Sequence, residues 1–264
     1  MALYENLSAL QVSVEDGVAD VVLPYQGADL PTRDRQHAEL TQIWRLLERD
    51  DRVRAVFLTG VGEEEFYLSG RPSRAYPGSL EEMRAFARLM ETEVTELVHE
   101  LARFEKPVVA AVNGAAAGAG LAVVMLADIA VMVEDAWLFD PHVMLGISAG
   151  DGPGAIWPLY TGIAKAKLYL LTSDGLTGRH ADEIGLIARA VPRQELMSVA
   201  RDYVERLAAA PPVALRYTKR ALNQALRVAL LQAQDYAAAL EALSAFSGER
   251  TGEPLTPFPP RIVP

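Results

Sequence analysis

Residues 10–25, LQVSVEDGVADVVLPY, alternate apolar and polar positions on both sides of Asp16-Gly17. Alternation with a period of two, interrupted by an Asp-Gly pair, predicts two antiparallel strands joined by a tight turn, because that pair tolerates the positive φ angles of a short hairpin. From His37 to Arg49 the apolar residues Leu40, Ile43, Leu46 and Leu47 recur at helical spacing, and RAVFLTG (54–60) then reads as a buried strand. A long helix over residues 80–104 and a second buried strand, PVVAAVNG (107–114), follow.

The pattern continues through a small-residue segment, GAAAGAGLAVVMLA (114–127), strands at 128–134 and 136–140, and a glycine-rich loop, LGISAGDGPG (145–154), ahead of a helix around AIWPLYTG. Strands alternating with helices predict an α/β core, and the strand-strand-helix order is compatible with a spiral of similar units. From Arg193 the chain is almost wholly helix-forming, with Ala-rich stretches at 194–209, 213–231 and 232–246 and a proline-rich end, GEPLTPFPPRIVP. Residues 1–193 are therefore expected to form the α/β core. Residues 194–264 are expected to form a helical oligomerisation region and tail, because an arm this apolar calls for cover from neighbouring subunits.

Half of the 264 residues are apolar and 23% are charged, which suits a folded chain and excludes a disordered one. The 35 acidic against 25 basic side chains, a net charge of -10, disfavour nucleic acid and anionic membranes as partners. With no cysteine, disulfides, thiolate nucleophiles and Cys-ligated metals are excluded. The four histidines, His37, His99, His142 and His180, lack an HExxH-type spacing, so no metal site is expected. No apolar run approaches the ~18 residues of a membrane span, and MALYENLSAL lacks a basic region followed by an apolar core. The expected compartment is the cytoplasm.

Four segments carry a family resemblance: EEFYLSGR (64–71), KPVVAAVNGAAAGAGLAVVMLADIAV (106–131), WLFDPHVMLGISAGDG (137–152) and YLLTSDGLTGRHADEIGLIARAVP (169–192). Together they resemble the crotonase (enoyl-CoA hydratase/isomerase) superfamily. The resemblance implies a crotonase-type spiral of ββα units with a C-terminal helical trimerisation arm, assembled as a homotrimer or hexamer. It also implies an oxyanion hole of two backbone N–H groups, matched here by Gly70 and Ala119, which would stabilise an enolate or tetrahedral oxyanion. The hydratases of the superfamily place two glutamates beside that hole. The matching positions here are Ala122 and His142, so neither carboxylate is present and the hydratase mechanism does not transfer intact.

A different set stands in their place. His142, Asp151 nine residues on, Glu241 in its LEAL context and His37 in RQHAEL resemble the site of 6-oxocamphor hydrolase, a β-diketone hydrolase of the superfamily. That relative has a histidine at the position of Ala119. The resemblance implies His142, Asp151 and Glu241 as catalytic residues, with a carboxylate orienting the imidazole as a general base. His37, Ala122, Trp137 and Phe139 are the expected substrate-binding positions. Plainer roles are also open: Asp151 as a helix cap, His142 as a core histidine, Glu241 as a solvated or intersubunit residue, and His37 as a surface residue.

Three functions follow. The first is hydrolytic C–C cleavage of a β-diketone by a water activated by His142 and Asp151. The second is acyl-CoA chemistry with His142 as the acid/base, in which a CoA thioester is substrate and no cofactor is needed. The third is a non-catalytic homologue that binds an acyl-CoA. Arg33, Arg71 and Arg74 lie in segments suited to border a groove for the CoA phosphates.

Overall fold

The Asp16-Gly17 pair forms the expected turn, with φ of 48° and 85° at the two residues, and joins β1 (Gln11–Glu15) to β2 (Val18–Leu23) in antiparallel register. The computed structural model describes residues 3–23, 30–68, 79–247 and 261–263. β2 pairs in parallel with β3 (Ala55–Gly60), which continues through β5 (Val108–Val112) and β7 (Ile129–Val133) to β10 (Arg189–Val191). All five residues of β5 are buried, the unbroken apolar run required of a parallel strand covered on both faces.

A second sheet has the order β11 (Ile262–Val263), β9 (Gly175–Thr177), β8 (Trp137–Phe139), β6 (Ala115–Ala117) and β4 (Glu65–Leu68). Successive units thus place one strand in each sheet before entering a helix. β3 and β4 lead to helices over residues 80–103, β5 and β6 to α4 (Ala119–Leu126), and β7 and β8 to α5 (Pro153–Thr161). This is the mixed α/β spiral expected from the motifs. The single strand expected at 107–114 instead ends at Val112. There Asn113 accepts from the Gly60 N–H at 2.9 Å and donates to the Gly62 carbonyl at 2.8 Å, fixing the crossing between sheets.

α1 (Leu30–Arg49) begins before His37 and buries Leu40, Ile43, Trp44 and Leu47 on one face. The expected helix at 80–104 is α2 (Leu80–Leu89), a π-helical turn (Met90–Thr95) and α3 (Glu96–Arg103). It opens with a capping box between Ser79 and Glu82, in which each side chain accepts from the other's backbone N–H. α4 packs so closely on β4 that a Cβ at Gly120 would lie 1.9 Å from the Tyr67 carbonyl oxygen, so only glycine fits there. α6 (Ile163–Thr172) and α7 (Gly178–Glu183) then lead toward β10.

The C-terminal helices are α8 (Leu196–Ala209), α9 (Pro212–Leu222) and α10 (Gln224–Ala245). α8 buries Leu196, Ala200, Val204 and Ala208 in the same hydrophobic cluster as the strands. The expected break near residue 231 falls at Asn223 instead. No proline or glycine marks it. The end of α9 is fixed by tertiary contacts, because the buried Lys219 ammonium donates to Asp128 at 2.6 Å and to the Lys106 carbonyl at 2.8 Å. Free of that anchor, α10 turns toward the glycine-rich loop. No described helix is long and apolar enough to cross a membrane.

Candidate active site

His142 lies just beyond β8, at the start of a short 3-10 turn over Val143–Leu145. Its side chain is buried among three carboxylates. Nδ1 meets Asp140 Oδ1 at 2.9 Å. Nε2 lies 3.7 Å from Asp151 Oδ2 and 3.7 Å from Glu241 Oε1. Asp140 is fully enclosed, and Asp151 and Glu241 are each 5% exposed.

These groups come from distant parts of the chain. Asp151 sits in the loop before α5, and α10 delivers Glu241. The buried residues of α10, namely Leu230, Gln234, Ala238, Glu241 and Ala245, recur at three- and four-residue spacing and form one face. Two polar side chains on that face are the informative feature, since buried glutamate and glutamine need partners. Gln234 Nε2 donates to the Gly150 carbonyl at 2.6 Å, and the Ser148 N–H donates to Ser244 Oγ at 2.9 Å. α10 is thereby clamped to the loop that carries Asp151. A Cβ at Gly150 would stand 2.5 Å from Glu241 Oε2 and 2.8 Å from the Ala237 carbonyl oxygen, so the clamp requires glycine.

Of the plainer roles, the helix cap at Asp151 and a solvated Glu241 do not hold. Gly152, not Asp151, is the N-cap of α5, and no side chain caps that helix. His142 is a buried histidine but one enclosed by acids, and Glu241 is neither solvated nor distant from the site. The expected pairing of His142 with one orienting carboxylate is also incomplete. Asp151 faces Nε2, whereas the hydrogen-bonded carboxylate on Nδ1 is Asp140, which the motif comparison did not single out. Its signal in the sequence is an aspartate two residues before the histidine in FDPH, a spacing also common in simple turns.

Burial drives the electrostatics. It disfavours a charged imidazole most strongly, yet the Asp140, Asp151 and Glu241 charges together outweigh it and hold His142 well above the ordinary histidine value. Burial likewise pushes Asp151 up to about 6, although the His142 charge opposes it, and Glu241 up to about 8 against the same opposition. Burial and the neighbouring carboxylates thus favour the protonated forms of Asp151 and Glu241, while the same carboxylates favour a protonated ring. Asp151 Oδ1 and Glu241 Oε2 are buried without hydrogen-bond partners among the described residues, leaving acceptor and donor capacity for an incoming molecule.

The remaining expected positions are dispersed around this cluster. Ala119 opens α4 and is buried; its N–H belongs to the first-turn amides, whose partners lie outside the helix. Gly70 lies outside the described residues, as do Arg71, Arg74 and the Arg33 side chain. Ala122 is fully buried, 3.7 Å from the Cβ position of Gly152, so the site where hydratases carry a glutamate adjoins the Asp151 loop. His37 is half-buried rather than a surface residue, with Nδ1 3.3 Å from Glu93 Oε2 on the π-helical turn, and its charge acts on Asp151. Phe139 is enclosed in a small cluster with Leu68, Ala115 and Ala117, and Trp137 packs on its ring at 5.4 Å between centroids.

Asp140, His142 and Asp151 each offer a potential ligand atom, all within 4.8 Å of one another. Asp140 and His142 are also in direct contact, at 2.9 Å.

The sequence matches the enoyl-CoA hydratase/isomerase family over residues 32–253. A short-chain-enoyl-CoA hydratase from Clostridium acetobutylicum is 33% identical over 181 residues, covering 69% of this chain and 68% of that protein. A 1,2-epoxyphenylacetyl-CoA isomerase from Escherichia coli is 30% identical over 220 residues, 80% of each chain. Among solved structures, a β-diketone hydrolase from the cyanobacterium Anabaena sp., bound to (S)-3-oxocyclohexyl acetic acid, superposes with a TM-score of 0.82 at 28% identity, covering 93% of this chain and 97% of that one. An enoyl-CoA hydratase/isomerase from Mycobacterium paratuberculosis gives 0.77 at 33% identity, covering 93% and 96%. The chain belongs to the enoyl-CoA hydratase/isomerase, or crotonase, family.

Proposed function

We propose that this crotonase-family enzyme hydrolyses a carbon–carbon bond of a β-diketone. The observation that carries the reading is the replacement of the hydratase glutamate pair by one imidazole enclosed by Asp140, Asp151 and Glu241. Two carboxyl groups with ordinary values near 4 are pushed to about 6 and about 8, which divides them into a base and an acid at neutral pH. Asp151 takes a proton from water as its oxygen attacks one carbonyl carbon. The resulting oxyanion is assigned to the backbone N–H of Ala119 and, by the family resemblance alone, to that of Gly70, which lies outside the described residues. Collapse of this intermediate breaks the bond to the central carbon, whose electron pair delocalises onto the second carbonyl as an enolate. Glu241 protonates that carbon and is reprotonated by the proton that Asp151 took from water, so one water is consumed and an acid and a ketone are formed. No step draws on a cofactor or metal. Trp137, Phe139 and His37 are assigned to substrate binding.

The relation to the diketone hydrolase from Anabaena supports this reading. The CoA substrates in the names of the curated relatives support a second, in which an acyl-CoA binds and the cluster is its acid/base. Incubation with a panel of cyclic β-diketones, in parallel with crotonyl-CoA and with CoA titrated alone, separates them. Release of a keto acid from a diketone, with no binding of CoA, is expected. CoA binding with hydration of crotonyl-CoA and an unchanged diketone panel would overturn the proposal.

The proposal extends to assembly as a homotrimer or a hexamer in the cytoplasm. Its support is the outward face of the C-terminal arm, where Tyr217, Leu222, Leu231, Tyr236 and Leu243 are exposed although such side chains favour cover. Sedimentation at micromolar concentration is expected to give three or six copies, and a monomer would remove this part of the reading.

A further inference from the structure

We infer that Asp140 is the positioning residue of this site, holding the His142 ring by Nδ1 so that Nε2 is the nitrogen presented to Asp151, Glu241 and the reacting molecule. The inference rests on the role given to His142 above and adds a residue that the motif comparison does not assign. Asp140 Oδ1 accepts from both the Nδ1–H and the backbone N–H of His142, at 2.9 and 3.1 Å. The two contacts fix both the ring and the backbone that carries it. Asp140 is fully buried, and its Oδ2 has no hydrogen-bond partner among the described residues. A simple turn needs only the backbone contact, and any small side-chain acceptor supplies it. A buried carboxylate costs much more than a hydroxyl or an amide, so its presence calls for a cationic partner, and the imidazole is the cation within reach.

An imidazole bound at one nitrogen by an anion is restricted to the tautomer protonated there, and its other nitrogen is aimed by the same bond. Asp140 does for His142 what the sequence comparison assigned to Asp151, which leaves Asp151 free to work as the base. The ionisable groups facing the ring are Asp140 from the end of β8, Asp151 from the loop before α5 and Glu241 from α10; His37 on α1 acts on the cluster through Asp151. Of the three carboxylates, Asp140 contributes most to the raised affinity of His142 for its proton.

Nitrogen-15 NMR of histidine-labelled protein reads the ring directly, without a substrate, so it decides this inference even where the diketone assignment fails. Asp140→Asn and Asp140→Ser both retain an acceptor for the His142 N–H and both remove the charge. In wild type the Nδ1 proton is expected to persist across the titration. In both variants the His142 midpoint should fall by about one pH unit or more, and the neutral ring should populate the other tautomer. The sign follows from losing an anion that favours the charged ring. Turnover of any diketone that the wild type hydrolyses should fall by about 10²-fold with KM little changed. An unchanged midpoint and tautomer in both variants would overturn the inference whatever happens to activity or stability. So would an altered tautomer with unchanged turnover, since ring orientation would then not matter.

Discussion

His142→Ala is expected to lower turnover of a β-diketone by about 10³–10⁴-fold and to weaken the fold at neutral pH. The loss of activity follows from removing the donor that faces the oxyanion and the charge that keeps Asp151 ionised. The loss of stability follows from burial. Asp140, Asp151 and Glu241 are almost wholly enclosed, and deleting the cation of a buried ionic set typically costs about 3–5 kcal/mol because the opposite charges are left uncompensated. The pH dependence has a definite sign. Asp151 and Glu241 already titrate above their ordinary values, at about 6 and about 8, and losing the imidazolium raises them further. A carboxyl group whose folded value is raised binds its proton more tightly in the folded state, so its contribution to stability is present at low pH and lost as pH rises. The variant should therefore be closest to wild type near pH 5 and furthest from it above pH 8, read by denaturation at each pH. Equal loss at every pH would mean that the ring acts by packing alone. Asp151→Asn should lose about 10²–10⁴-fold in turnover. The double variant should be little worse than His142→Ala, because residues that act as one unit do not lose activity multiplicatively.

Ala122→Glu is expected to depress diketone hydrolysis by about 10²-fold or more. Position 122 is fully buried and touches the Gly152 backbone region, one residue beyond Asp151. A glutamate there brings a fourth carboxylate toward Asp140, Asp151 and Glu241, and it opposes the negative charge that develops on the attacked carbonyl. It also overfills a packed site, which typically costs about 1–3 kcal/mol. In an enzyme acting on an acyl-CoA the same substitution restores the position at which hydratases hold water and should raise crotonyl-CoA hydration, since a placed acid or base contributes about 10²–10⁴-fold. Assaying wild type and variant against both substrates therefore opposes the two readings on one residue. A gain in hydration would overturn the diketone assignment.

Elements with strong local signals are legible along the chain. Asp16-Gly17 defines the first hairpin because the pair tolerates the left-handed angles of a two-residue turn. The apolar runs at 55–58 and 108–112 specify buried strands because no polar side chain interrupts them. The resemblance around VNG and FDPH sets Ala122 and His142 against the positions where the hydratases carry glutamates, so the candidate positions are legible in the sequence. Groups far apart in sequence come to share one burial environment only through the packing of the whole fold. Asn223 ends α9 because Lys219 is anchored to Asp128 across the fold, an interaction with no local trace in an Ala-rich helical run. The buried face of α10 is visible only once the loop at 148–151 lies against it, through Gln234, Glu241 and Ser244. The arrangement of Asp140 and Asp151 about the ring has the same origin: spacing along a chain names the candidate acids, but which nitrogen each one faces is set by distances of 2.9 and 3.7 Å within one enclosed cluster.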